Sequence, residues 1–208
     1  MGFDLTLYLV TDSGGMDDET FLAKVEAACR GGVTLLQLRE KECGGREFLR
    51  LALRVKAVAD RYGVPLLIDD RVDVALAADA AGVHVGQEDL PVEAARRLLG
   101  PGKIVGATAK TVEQARIAKA QGADYLGVGA VFPTTTKVKT VLTEVGTLAE
   151  IVREVQLPVV AIGGLNAANC DVLQGSGFSG IAVVSAIMKA GDPEAAARSL
   201  KEKVLSLR

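Results

Sequence analysis

Eight short apolar runs, each followed by a longer segment of helical period, constrain this chain more than any other feature. They are LTLYLVT (5–11), TLLQLR (34–39), PLLID (65–69), VHVG (83–86), KIVGAT (103–108), YLGVGAVF (125–132), PVVAIGG (158–164) and GIAVVSA (180–186). Such alternation is the signature of parallel strands joined by crossover helices. The near-continuous apolar character means that both faces of each strand are covered, and nothing in the runs protects a free sheet edge. Eight is the number that a closed barrel requires. With 208 residues the chain has room for one such core and would be cramped as two. The expected fold class is α/β, a single (β/α)8 TIM barrel, with residues 1–208 as one domain.

The intervening segments place apolar residues three and four apart, as in Phe48, Leu49, Leu51, Ala52, Val55 and Val58, which gives a helix one buried stripe. Gly32, Gly63, Gly82, Gly102, Gly122 and Gly177 stand a few residues before a strand, where a helix C-terminus favours a residue tolerant of the left-handed conformation. A closing helix is expected from Pro193 to Leu207, capped by Asp192, with Ala196, Leu200, Val204 and Leu207 along one face.

Composition narrows the function classes. A net charge of −2, with both signs mixed along the chain, argues against nucleic acid as the principal partner. No apolar run approaches the ~18 to 20 residues needed to span a bilayer, and the opening MGFDLTLYLVTD has no basic segment ahead of its apolar stretch. A cytoplasmic protein without a membrane partner is the expectation. Cys29, Cys43 and Cys170 form neither an even set nor a C-x-x-C pair, and they read as reduced thiols. Monomer and homo-oligomer both stay open.

A strand covered on both faces should be apolar, so polar residues at its carboxyl end need a reason. They recur here as Gln37-Leu38-Arg39-Glu40-Lys41, Asp69-Asp70-Arg71, Gly86-Gln87-Glu88-Asp89, Thr108, Thr134 to Lys137, Gly163-Gly164 and Ser185. Closing the barrel brings all of them to one mouth. Asp70 and Asp89, at adjacent strand ends, suit a Mg²⁺ that keeps several waters and takes other ligands from a substrate phosphate. Arg39, Lys41 and Lys137 can neutralise a multiply charged anion, and Lys137 lies in a long loop, PTTTKVKTVLTEV (133–145), that could close over it. Gly163-Gly164, with Ser185, suits the phosphate cradle that barrels build from backbone N–H groups and a helix start. Taken singly, Asp69-Asp70 reads equally well as a helix cap, Gly163-Gly164 as a tight turn, Arg39-Glu40 as a rim ion pair and the threonines as a solvated loop. His84 lies inside a strand, where a packed, hydrogen-bonded role is the favoured reading over acid–base chemistry.

At these residues the chain resembles the thiamine phosphate synthase family. YLVTD, QLREK, LIDDR, HVGQEDLP, GAT, VFPTTTK, AIGG and VVSAI occur in family order across essentially the whole length. The resemblance implies a Mg²⁺-dependent transferase that joins hydroxymethylpyrimidine diphosphate to thiazole phosphate, giving thiamine phosphate and diphosphate. By motif, Gln37, Leu38, Arg39, Glu40, Lys41, Asp69, Thr108 and Lys137 would contact the pyrimidine diphosphate. Thr134, Thr136, Gly164, Val184 and Ser185 would receive the thiazole phosphate, Asp70 and Asp89 would hold Mg²⁺, and Lys137, Arg39 and Thr108 would stand closest to the chemistry. Such a reaction needs positioning and electrostatics more than a nucleophile, which agrees with a chain that has one histidine.

Two positions depart from the family pattern, which has asparagine at Asp69 and serine at Thr108. The second change keeps the hydroxyl. The first sets an extra acid beside a diphosphate, so Asp69 is expected to be an added Mg²⁺ ligand or else to have a raised pKa, the ligand being the favoured reading. The related thiazole tautomerase resembles this chain in fold but depends on a histidine shortly after the fifth strand, where this chain has Lys110. A barrel that binds thiamine precursors without catalysis is the other alternative, and only Asp69 speaks for it.

Overall fold

All eight apolar runs form strands in the computed structural model, which describes residues 2–134 and 141–208. They are β1 (Leu7–Val10), β2 (Leu35–Leu38), β3 (Leu66–Asp69), β4 (Gly82–Val85), β5 (Ile104–Ala109), β6 (Tyr125–Gly129), β7 (Val159–Ile162) and β8 (Gly180–Val183). Each pairs in parallel with its sequence neighbours, and β8 returns to β1 through Leu7 opposite Ile181, which closes the barrel. Closure leaves no edge strand and explains why the runs carry no edge protection.

Side-chain alternation then sorts every strand into two layers. Leu7, Leu9, Leu36, Leu38, Leu66 and Ile68 point outward and pack with the helices. Tyr8, Val10, Leu35, Leu67, Tyr125 and Val160 point inward and fill the barrel. The same period carries Gln37 and Asp69 inward near the strand ends, where both are buried.

The helices are α1 (Asp18–Arg30), α2 (Gly45–Arg61), α3 (Val72–Ala77), α4 (Val92–Leu99), α5 (Val112–Ala120), α6 (Val145–Val155), α7 (Ser185–Met188) and α8 (Pro193–Leu207). Side chains cap three of them: Asp17 accepts from Thr20 N at 2.9 Å, Thr111 from Gln114 N at 3.2 Å, and Asp192 from Ala195 N at 3.0 Å. In α2 the buried stripe is Phe48, Leu51, Ala52, Val55, Val58 and Ala59, with Leu49 at its margin.

Four local expectations are corrected. In α8 the buried face runs through Ala197, with Ala196 half-buried. Gly32, Gly63, Gly122 and Gly177 do have positive φ, but Gly102 does not, and the left-handed residue beyond α4 is Gly100 at φ 72°. Gly82 belongs to β4 itself, where a Cβ would lie 1.9 Å from the Ile104 carbonyl oxygen, so its role is close strand approach. After β7 the chain forms a single 3-10 turn, Cys170–Leu173, in place of an α-helix. Asn side chains there compete for the backbone: Asn169 Oδ1 accepts from Asn166 N and Asn166 Oδ1 from Ala168 N, both at 2.8 Å. Among the described residues, no helix is long and apolar enough to cross a membrane.

Candidate active site

The carboxyl ends of the strands surround a cavity of about 230 Å³. Of the residues singled out above, Gln37, Arg39, Lys41, Asp69, Asp70, Asp89, Thr108, Thr134, Gly164, Val184 and Ser185 line it. Leu38 and Glu40 do not. Alternation along β2 turns Leu38 into the fully buried helix-facing layer, and Glu40 accepts from Ser13 Oγ at 2.9 Å. Thr136 and Lys137 lie outside the described residues.

Asp69 ends β3 and is 8% exposed. Lys41 Nζ lies 2.9 Å from its Oδ2 and Arg39 Nε 3.7 Å, so two cations from the β2 end meet its charge. Burial raises its pKa, against the pull of Lys41 and Arg39. These contacts set the extra acid against the two basic residues expected to bind an anion, and its raised pKa is one of the two outcomes expected of it.

Asp70 follows at φ 58°, a left-handed backbone that aspartate tolerates better than most residues. Its N–H donates to the His84 carbonyl at 2.8 Å, which ties the β3 end to β4 and turns its carboxylate toward the β4 loop. Neither Asp69 nor Asp70 caps α3, whose N-cap is Arg71 with no side-chain cap bond. Asp89 accepts from Gly86 N at 2.8 Å. Its pKa is raised, first by burial and next by hydrogen bonding with Asp70. Two carboxylates therefore face each other at the rim, an arrangement that a cation would relieve. Lys41 also pairs with the Asp70 carboxylate. Among the described residues no group of three or more His, Cys, Asp or Glu gathers as a metal cage, so the pair suits an ion that keeps water or substrate oxygens for its other ligands.

On the opposite side, Gly163 and Gly164 turn the chain with φ of 101° and 64°. A Cβ on Gly164 would lie 2.6 Å from the Pro133 carbonyl oxygen, and one on Gly163 2.3 Å from Ala130 Cβ, so bare backbone lies against the loop after β6. The short α7 starts at Ser185 beside them and shares the cavity wall. The floor is a group that sequence reading found only in part. Gln37 Nε2 is 2.5 Å from Tyr8 Oη, Tyr8 Oη is 2.9 Å from Tyr125 Oη, and His84 joins Tyr125 Oη (2.9 Å) to Thr108 Oγ1 (3.0 Å). Burial pushes the His84 pKa down to about 4 and raises both phenols, so all three are neutral near pH 7. His84 thus has the packed, hydrogen-bonded place expected of it. The missed residues, Tyr8 and Tyr125, had one available signal: Gly106 and Gly127 stand inside strands, where glycine marks the close approach of another group.

Comparison with known proteins places this site in a family. The thiamine monophosphate synthase family model matches residues 7–187. The chain is 54% identical over 200 residues to thiamine-phosphate synthase 2 of Streptococcus pneumoniae, covering 96% of this chain and 95% of that one. It is 51% identical to thiamine-phosphate synthase of Lacticaseibacillus paracasei, with 97% and 94% covered. The solved thiamine phosphate pyrophosphorylase from Pyrococcus furiosus superposes with a TM-score of 0.89 at 39% identity, over 98% of this chain and 96% of that one. The chain belongs to the thiamine monophosphate synthase family, whose members are transferases that condense a pyrimidine diphosphate with a thiazole phosphate in thiamine biosynthesis.

Proposed function

We propose that this chain makes thiamine phosphate by stabilising the departure of diphosphate from the pyrimidine methylene, with the charge groups of the β2, β3 and β4 ends acting as the anion site. The observation that supports this most directly is the opposition of two walls. Arg39, Lys41, Asp70 and Asp89 stand on one side of the cavity, and Gly163, Gly164 and Ser185 on the other. The first wall suits a diphosphate with a cation and the second a single phosphate. The ring-sized space between them is floored by Gln37 and Thr108.

In this reading the carbon–oxygen bond breaks first and the diphosphate leaves with the electron pair. The electron-rich pyrimidine spreads the positive charge left on the methylene, and the thiazole nitrogen then bonds that carbon. Arg39 and Lys41 bind the leaving oxygens, Thr108 donates a hydrogen bond, and Thr134, Gly164, Val184 and Ser185 seat the thiazole phosphate. Lys137 and Thr136 are assigned by motif to the two phosphates. Asp70 and Asp89 would hold Mg²⁺, which, when bound, supplies positive charge to the departing diphosphate. No nucleophile is required, and a floor of neutral groups suits that chemistry. The reading also carries a cytoplasmic setting, in which the free thiols of Cys29, Cys43 and Cys170 stay reduced.

The direct test mixes purified protein, both substrates and Mg²⁺, and looks for thiamine phosphate by mass. Calorimetric binding of both substrates with no diphosphate released would overturn the reading in favour of a binding protein. Two variants examine its parts. Lys137→Ala is expected to depress kcat more than it raises KM, because a cation that meets the departing diphosphate acts chiefly in the transition state. An unchanged kcat would reduce Lys137 to a binding role. Asp69→Asn is expected to keep turnover and lower KM for the pyrimidine diphosphate, since the amide releases Lys41 and Arg39 from an ion pair. Loss of turnover at saturating Mg²⁺ would mean that the Asp69 carboxylate acts in the chemistry.

A further inference from the structure

We propose that Tyr125 and His84 are positioning residues in a one-way hydrogen-bonded chain that holds the Thr108 hydroxyl as a donor facing the cavity. The direction follows from counting protons. An amide nitrogen only donates, so the Tyr8 phenol oxygen accepts from Gln37 Nε2. Tyr8 is 2% exposed, and its own proton has one acceptor among the described residues, Tyr125 Oη at 2.9 Å. Tyr125, which is 0% exposed, must then pass its proton to His84 Nδ1 at 2.9 Å. A neutral imidazole that accepts at Nδ1 carries its hydrogen on Nε2. That hydrogen is donated to Thr108 Oγ1 at 3.0 Å. Thr108 is thereby an acceptor on its buried side, and its own proton is left for the cavity that it lines.

The opposite direction would strand the buried Tyr8 proton without a partner, the arrangement that folded proteins avoid. The strands are also shaped for this contact. Gly106 stands in register with His84 on one side and Tyr125 on the other, and its missing side chain lets the two rings meet over β5 with centroids 5.5 Å apart. A Cβ at Gly106 would come within 2.2 Å of the Tyr125 ring, and one at Gly127, the register partner of Thr108, would lie 3.2 Å from His84 Cε1. A donor with a fixed direction suits an oxygen that gains negative charge, which is the oxygen that departs with diphosphate. This last step rests on the function proposed above; the tautomer does not.

The test reads the tautomer first. His84 is the chain's one histidine, so the imidazole nitrogen signals of ¹⁵N-labelled wild-type protein at pH 7 belong to it without assignment. The Nε2–H form is expected, and the Nδ1–H form or an imidazolium would overturn the proposal. In Tyr125→Phe the Nδ1 partner is lost, and the tautomer signals should shift toward a mixture. Its kcat should fall about 10-fold with KM changed less than about 2-fold, the scale of groups that orient a reacting side chain. Thr108→Ala should lose roughly 100-fold, and adding Tyr125→Phe to Thr108→Ala should cost less than about 2-fold more. Full additivity of the two losses would show that Tyr125 does not act through Thr108. If wild-type protein makes no thiamine phosphate while the Nε2–H tautomer is found, the functional reading fails and the hydrogen-bonded chain stands.

Discussion

Asp89→Ala is expected to lower turnover at least ~100-fold, and Asp70→Ala to do the same, a barrier increase of about 2.7 kcal/mol. The structure gives the reason in local terms. Gly86 N–H holds Asp89 Oδ2 at 2.8 Å, so the carboxylate has a fixed direction before any ligand arrives. Its pKa is raised by burial and by hydrogen bonding with Asp70, so the pair resists carrying two negative charges on its own. A divalent cation held by Asp70 and Asp89 would remove that conflict. Alanine at either position would remove one of the two proposed ligands, and the loss should appear as a higher Mg²⁺ requirement as well as a lower kcat. Turnover measured against Mg²⁺ for the three proteins, together with calorimetric titration of Mg²⁺ alone, checks both. Full activity of Asp89→Ala in the presence of a chelator would remove the metal from this pair.

Gly106→Ala is expected to destabilise the fold by about 3 kcal/mol, the upper part of the usual range for overpacking a core. The added Cβ would meet Tyr125 Cζ at 2.2 Å and Cε1 and Oη at 2.3 Å. The ring cannot retreat easily, because it is fully buried and set edge-on against both Phe3 (5.8 Å between centroids) and Tyr8 (5.9 Å). Gly127→Ala is the milder control, since its nearest contact, His84 Cε1, is at 3.2 Å. Urea unfolding midpoints with unchanged m-values measure the difference. A loss for Gly106→Ala of less than about 0.5 kcal/mol, the scale of a neutral surface change, would show that the barrel interior repacks freely.

Much of the site was legible in the sequence. Asp70, Asp89, Arg39 and Lys41 stand where a strand ends and polarity is out of place, and the structure gathers all four on one cavity wall. The family motif assigns Leu38 and Glu40 along with their neighbours, but a five-residue run carries no mark of which side chains line the cavity. The pleat of β2 turns Gln37 inward and Leu38 outward, and past its end Arg39 and Lys41 line the cavity. Asp69 stands next to Asp70 in sequence, but the ion-pair partners of its carboxylate, Lys41 and Arg39, come from beyond the end of β2. Tyr8 and Tyr125 stand inside apolar runs 117 positions apart, and the strand glycines that make room for them do not say which group approaches.

What the sequence determined by itself is what short-range periodicity and local caps control: eight covered strands, most of the helices between them, the cap at Asp192, and one polar rim. These depend on residues within a turn or two of each other, where side-chain spacing and backbone preference act directly. Tertiary structure alone decided which rim residues meet. The pairing of Asp69 with Lys41 and Arg39, the facing of Asp70 and Asp89, and the floor from Gln37 to Thr108 all depend on strand register around a closed ring. Register is set by how the whole barrel packs, with Gly106 opposite both His84 and Tyr125, and no local pattern records it.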